Sequence, residues 1–123
     1  MADVDFKILE GAEARSYAAG DVIFRQGDPA EELFVIRSGK VTIRFGDRVI
    51  ETLEEHTIFG EMALLEDESR SATAVAASDV ELVPIGRKQF LFLVSETPHF
   101  AINVMRVLAR RLRAETRAMR GLG

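Results

Sequence analysis

Short apolar runs closed by turn signals place the strongest constraint on how this chain can fold. Several of these runs alternate apolar and polar residues, the period of a half-buried strand. The predicted strands are Asp21–Phe24, Leu33–Arg37, Val41–Phe45, Val49–Leu53, Ala72–Ala76 and Val80–Ile85. Turns are predicted at Gln26–Pro29, Ser38–Gly39 and Gly46–Asp47. Short strands at this spacing predict a β-sandwich or barrel of jelly-roll type.

The stretch Phe59–Ala74, FGEMALLEDESRSATA, carries the residues best suited to bind a ligand. Gly60 allows a tight turn, and Glu61–Leu65 can form a helical turn whose free N–H groups attract anions. Arg70 offers a planar fork for two oxygens of one phosphate or carboxylate, while Glu61 can accept a hydrogen bond from a sugar hydroxyl. Together these groups predict a pocket for a sugar phosphate.

Each of these residues also has a structural interpretation. Arg70 could pair with the acids of the preceding loop, Glu66, Asp67 and Glu68. Glu61 could serve only as an acid in the first turn of a helix, where it complements the dipole. Both interpretations remain open from the residues alone.

Two helices are predicted after the last strand. Arg87–Ser95 has apolar residues at helical spacing, and Thr97 and Pro98 form the N-cap and first position of a helix that reaches about Arg120. The predicted apolar stripe of this second helix is Ala101, Val104, Met105, Leu108, Leu112 and Met119. Val107 and Met119 flank that stripe, so the helix is also a candidate contact for a protein effector or for a homodimer.

The composition fits one soluble domain. The 123 residues are 47% hydrophobic and 29% charged, with no cysteine, which excludes disulfides and thiolate metal sites. No signal peptide and no membrane-spanning run is apparent, so the cytoplasm is the expected location. The predicted organisation is a short N-terminal segment (1–16), a β-roll (17–86) that contains the stretch 59–74, and C-terminal helices (87–120).

The charge is divided unevenly along the chain. Residues 1–97 carry a net charge of −9, whereas the segment from Pro98 onward carries +5. A basic tail can contact nucleic acid or a membrane surface, or it can fold back over its own acidic domain. The arginines alternate with apolar residues, which favours the second interpretation.

The run FGEMALLEDESRSAT resembles the phosphate-binding cassette of the cyclic nucleotide-binding domain family. The upstream run AAGDVIFRQGDPAEELFVIRSGKVTI resembles the first hairpins of the same domain, and the resemblance extends over about Tyr17–Leu112. It implies a mainly β fold, a double-stranded β-helix (jelly-roll-like) barrel with a short cassette helix and a C-terminal helical lid. The implied ligand is cAMP or cGMP, with no other cofactor and no metal.

The resemblance also assigns roles to residues. Arg70 would pair with the phosphate oxygens and Glu61 would accept the ribose 2′-OH. Ser71 would lie beside the phosphate, and a Ser here favours cAMP because many members that prefer cGMP have Thr. The expected ligand-binding set is Gly60, Glu61, Met62, Ala63, Arg70 and Ser71.

The base would contact apolar residues of the barrel and a residue of the last helix. The barrel candidates are Ile43 and Phe45, although both also fit core positions. On the last helix the position falls on Leu108, Arg111 or Leu112, and spacing favours Arg111, which otherwise is one of six exposed arginines. Ligand that neutralises Arg70 would let the hinge Phe90–Val94 repack and the last helix close over the base.

Three other functions compete with that of a cyclic-nucleotide sensor. A cupin-like metal enzyme needs several histidines, and the chain has only His56 and His99, so no catalysis is expected. A DNA-binding activator would need a helix-turn-helix after the long helix, and the sequence ends at Gly123, so no DNA binding is expected of these residues. A ligand-free interaction module of the same fold, or a sensor domain of a larger regulator, remains an alternative.

Overall fold

The computed structural model describes residues 11–62, 64 and 69–122, with the backbone alone for Leu112 and residues 114–122. Within this part the chain forms two four-stranded antiparallel sheets followed by two helices. The strands are β1 (Arg15–Tyr17), β2 (Val22–Phe24), β3 (Glu32–Ser38), β4 (Val41–Phe45), β5 (Arg48–Leu53), β6 (Ile58–Phe59), β7 (Thr73–Ala76) and β8 (Val80–Gly86). The helices are α1 (Arg87–Glu96) and α2 (Pro98–Leu122).

The two sheets pack face to face, and the helices cover the outer face of one of them. The first sheet has the strand order β1-β8-β3-β6, and the second has the order β2-β7-β4-β5. Non-sequential neighbours such as β8 and β3 give the roll its crossed connections. This arrangement confirms the predicted mainly β, jelly-roll-like fold with C-terminal helices.

Strand β3 lies in the middle of the molecule, with a core cluster on each of its two faces. Leu33 and Val35 belong to an outer core cluster shared with the helices, whereas Phe34 and Ile36 belong to an inner cluster between the sheets. Side chains alternate along a strand, so both faces of β3 are covered. This burial on both faces explains why β3 is an unbroken apolar run instead of an alternating one.

Two strands were absent from the sequence prediction. Strand β1 pairs with β8, and β6 pairs with β3 through Phe34–Phe59 and Val35–Ile58. Strand β1 has a single apolar residue and β6 has only two residues, so their pairing alone reveals them. The predicted N-terminal segment lies mostly outside the described residues, as do Ala63 and the acids Glu66, Asp67 and Glu68.

Helix α2 begins at Pro98 as predicted, but its buried face differs from the predicted stripe. Phe100, Val104 and Val107 are buried in the outer cluster, and Met105 is 63% exposed. Phe100 meets Phe90 of α1 edge-on, with 6.0 Å between the ring centroids, which sets the rotation of α2 about its axis. The predictions that Met105 packs inward and that Val107 is free for a partner are therefore wrong.

Candidate functional site

The side chain of Arg70 lies inside the roll and is only 7% exposed. Its Nη1 donates to the carbonyl of Gly60 at 3.0 Å, and its Nη2 donates to the carbonyl of Glu32 at 2.7 Å. The guanidinium lies over the ring of Phe24, with 4.1 Å from Cζ to the ring centroid. A cation–π contact of this kind contributes up to about 2 kcal/mol when it is desolvated.

The charge of Arg70 has no carboxylate in ion-pair range among the described residues. The carboxylate of Glu32 pairs instead with Arg15, at 2.5 Å between Nη1 and Oε1. Burial lowers the pKa of Arg70, while the charges of Glu32, Asp28 and Glu61 act in the opposite direction. An arginine remains protonated in such surroundings, so the roll encloses a positive charge.

One N–H donor of this guanidinium is unsatisfied among the described residues. The Nε atom of Arg70 is buried and has no hydrogen-bond partner among the residues that the structure describes. An unsatisfied buried donor costs about 1–3 kcal/mol, which an added acceptor removes. The site therefore suits an acceptor, and an anionic acceptor most of all.

The backbone of Arg70 is clamped to the turn between β2 and β3. Its N–H donates to the carbonyl of Asp28 at 2.9 Å, and its carbonyl accepts from the N–H of Gly27 at 2.8 Å. The pair of bonds fixes where the side chain enters the roll. The turn predicted at Gln26–Pro29 thus has a role in placing Arg70.

Position 60 must be glycine because the guanidinium of Arg70 lies against its backbone. Its φ is +77°, and a Cβ added there would stand 2.6 Å from Nη1 of Arg70. Only glycine has low strain at this φ and also leaves room for the arginine. Gly60 therefore leaves room for the Arg70 guanidinium against its own backbone.

Glu61 and Arg111, predicted separately as ligand residues, form an ion pair with each other. Glu61 is 3% exposed, and its Oε1 accepts from Nη1 of Arg111. Nη2 of the same arginine donates to the carbonyl of Ile58. The pair joins α2 to the start of the cassette across 50 residues of sequence.

The remaining predicted residues are spread around this centre. Met62 and Ser71 are exposed. The N–H of Leu64 donates to the backbone carbonyl of Glu61 at 3.0 Å, which closes the turn predicted at the cassette. Ile43 packs against the inner cluster, Phe45 is exposed, and Leu108 packs against the outer cluster. Ala63 and the side chain of Leu112 lie outside the described residues.

Sequence reasoning missed Phe24 and the carbonyl of Glu32 as contacts of Arg70. The guanidinium also lies 5.7 Å from the ring centroid of Phe34, and both of these rings pack against Phe59. Nothing in the local sequence marks an aromatic residue as a support for a distant arginine. The contact exists only because β2 and the cassette meet in the folded roll.

The described residues form no group of three or more His, Cys, Asp or Glu side chains that could hold a metal ion. Among them, neither helix is long and apolar enough to cross a bilayer.

The comparisons with known proteins all point to the same family. The model of the family described as "Cyclic nucleotide-binding domain" matches residues 14–97. The cyclic AMP receptor protein of Thermus thermophilus is 41% identical over 106 residues, which are 82% of this chain and 49% of that protein. A cGMP-dependent protein kinase of Eimeria tenella is 42% identical over 88 residues, which are 71% of this chain and 9% of the kinase.

Solved structures show the same similarity in three dimensions. The crystal structure of the Thermus thermophilus catabolite activator protein superposes with a TM-score of 0.81 at 38% sequence identity. The match covers 93% of this chain and 56% of that one. The chain thus spans about half, or less, of the length of these relatives.

Proposed function

The chain belongs to the cyclic nucleotide-binding domain family, and we propose that it binds a cyclic nucleotide and acts as a regulatory sensor domain. The observation that carries the proposal is the buried guanidinium of Arg70, which lacks both a carboxylate partner and an acceptor for Nε–H among the described residues. A cyclic phosphodiester supplies one negative charge and two exocyclic acceptor oxygens. Such a group matches the charge and the donor that the roll leaves unpaired.

Glu61 would bind the sugar of the same ligand. Its Oε1 accepts a hydrogen bond from Arg111, and its Oε2 is the second acceptor oxygen of the same carboxylate. That second oxygen can accept the ribose 2′-OH, as the resemblance implies, while the ion pair persists. The phosphate would then lie at Arg70 and the sugar at Glu61, one residue beyond Gly60.

The ion pair supports a coupling between ligand and the last helix. Because one carboxylate serves both the sugar and Arg111, ligand binding changes the free energy of the contact that holds α2. The helix shifts to the extent that the ligand prefers one of its positions. This is regulation by binding, and the proposed role in the cytoplasm involves no catalysis.

The preferred nucleotide in this proposal is cAMP. Ser71 next to Arg70 supports it, since the resemblance associates Thr at this position with cGMP. The names of the relatives include both a cyclic AMP receptor and a cGMP-dependent kinase, so the family is compatible with either base.

A protein contact through α2 is the second candidate function. Ile102 and Met105 are exposed apolar residues on the face of α2 that turns away from the outer cluster. In the sequence they continue at alternating spacings of three and four residues: Ile102, Met105, Ala109, Leu112, Thr116 and Met119. This heptad spacing favours a helical partner, either a second copy or an effector.

Calorimetric titration with cAMP, cGMP and 5′-AMP tests the primary proposal. We expect saturable binding of both cyclic nucleotides, tighter for cAMP, and much weaker binding of 5′-AMP, whose phosphate carries more charge and has no ring. Absence of binding by either cyclic nucleotide to the folded chain would refute the sensor function and favour the interaction module.

A further inference from the structure

Four residues in register form a row across the sheet β2-β7-β4-β5. Phe24 is paired with Ala74, Ala74 with Ile43, and Ile43 with Glu51. Residues paired directly across antiparallel strands point to the same face of the sheet. Ala74 is fully buried in the inner cluster, and Phe24 and Ile43 pack against that cluster, so the row lies on the inner face.

The two ends of the row differ in chemistry. Phe24 lies under the guanidinium of Arg70, which marks the phosphate end in the proposed function. Glu51 is at the other end, three strand spacings or roughly 14 Å away. A purine nucleotide with its phosphate on Arg70 and its base over Ile43 would bring the edge of its six-membered ring close to Glu51.

Glu51 is free to bind in this structure. It is exposed, it lies on β5 at the edge of the sheet, and it has no ion pair or hydrogen bond to another described side chain. The residues around it are unusually apolar for a sheet edge, because Phe45, Val49 and Ile50 are all exposed. An apolar rim with one carboxylate suits a flat, apolar base that carries N–H donors on its edge.

We propose that Glu51 determines base specificity by accepting hydrogen bonds from the ring edge of the purine; this inference depends on the proposed function. A carboxylate only accepts. Guanine presents two adjacent donors on that edge, N1–H and the 2-amino group, and can bind both carboxylate oxygens. Adenine presents one donor, the 6-amino group, next to the lone pair of N1, which repels the carboxylate. Glu51 therefore favours cGMP. It reduces the difference in affinity by which Ser71 is expected to favour cAMP over cGMP.

The substitution Glu51→Gln tests this directly. A glutamine amide matches adenine, because its oxygen accepts from the 6-amino group and its nitrogen donates to N1, and it loses one of the two bonds to guanine. We expect the ratio of the cGMP Kd to the cAMP Kd to rise about tenfold, within the range for one bidentate base contact. Glu55→Gln, which removes the same charge from an exposed site just beyond β5, should leave the ratio unchanged.

Cyclic IMP separates the two hydrogen bonds. It keeps N1–H and lacks the 2-amino group, so the wild-type chain should bind it more weakly than cGMP, and Glu51→Gln should reduce that difference. Calorimetry gives the three Kd values, and thermal unfolding shows whether each variant is folded.

The outcomes distinguish the specificity of the site from its function. An unchanged ratio, or an equal loss for cAMP and cGMP, would overturn the role of Glu51 while leaving the sensor function intact. Failure of the wild-type chain to bind either nucleotide would overturn the proposed function and this inference together.

Discussion

Arg70 is placed by four separate contacts, none of which is a salt bridge to a described residue. Two backbone carbonyls hold its Nη atoms, Phe24 supports its plane, and the turn at Gly27 and Asp28 clamps its backbone. The neighbouring carboxylate of Glu32 is occupied by Arg15. The guanidinium is thus oriented in advance and keeps its charge available for a ligand.

Replacement of this side chain should abolish tight binding. We expect Arg70→Ala to weaken cyclic nucleotide affinity at least about 100-fold, since loss of one partner of a desolvated charge pair costs 2–5 kcal/mol. Titration calorimetry measures the change. Arg113→Ala, at an exposed arginine, should bind normally; near-normal binding by Arg70→Ala would show that the phosphate lies elsewhere.

A side chain at position 60 would have two separate effects, strain in the backbone and a clash with Arg70. Gly60→Ala should lower stability by about 1–2 kcal/mol because φ is positive, and it should also weaken binding about tenfold or more because Cβ would displace Nη1 of Arg70. Gly46→Ala has the same kind of strain, with φ +62° and no atom near the new Cβ. It should lose stability and keep its affinity, so equal affinity losses in both variants would contradict the assigned geometry.

Helix α2 has two apolar faces, and it uses one of them for the core. Phe100, Val104 and Val107 pack inward, and Arg111, one turn further on, reaches Glu61 and the carbonyl of Ile58. Ile102 and Met105 remain exposed on the other face. The position of the helix therefore depends on these apolar contacts and on the Arg111–Glu61 ion pair at the cassette.

Removal of Arg111 should loosen α2. Arg111→Ala leaves the buried carboxylate of Glu61 unpaired, and we expect a loss of about 2 kcal/mol, less than the 3–5 kcal/mol for a fully buried pair because Arg111 is partly exposed. Amide hydrogen exchange should become faster in α2 in the absence of ligand. The adjacent exposed residue provides the control, since Arg110→Ala should leave exchange unchanged; identical exchange in the two variants would argue that the ion pair does not hold the helix.

The whole domain should respond to its ligand as one cooperative unit. The inner cluster joins the sheets, and the outer cluster joins the first sheet to both helices, so β3 links every layer. A ligand that contacts Arg70 and Glu61 therefore stabilises the folded state as a whole. The ligand therefore raises the free energy of unfolding of the whole domain and not of one sheet or helix alone.

Thermal unfolding measures that response. With free cAMP at 100 times its Kd, the folded state gains about 2.7 kcal/mol, which for a domain of this size raises Tm by about 10 °C. The shift should fall to about 2 °C or less in Arg70→Ala, whose Kd is raised at least about 100-fold, and it should be similarly small with 5′-AMP at the same concentration. A shift with 5′-AMP as large as that with cAMP would indicate general anion binding instead of recognition of a cyclic phosphate.

Most of the fold and the identity of the cassette were predictable from residue order. Strand and turn patterns, the Thr97–Pro98 helix start, and the run from Gly60 to Ser71 are local features, and each acts over a few residues. The predicted roles of Met62, Ser71, Ile43 and Phe45 toward a ligand stay predictions.

Packing alone set the remaining features of the site. Both faces of α2 are apolar, so the pattern could not say which one is buried until Phe100 met Phe90. The Arg111–Glu61 pair, the aromatic support under Arg70 and the row that ends at Glu51 each join residues far apart in the chain. Such contacts depend on how strands and helices are brought together, and local propensity carries no information about them.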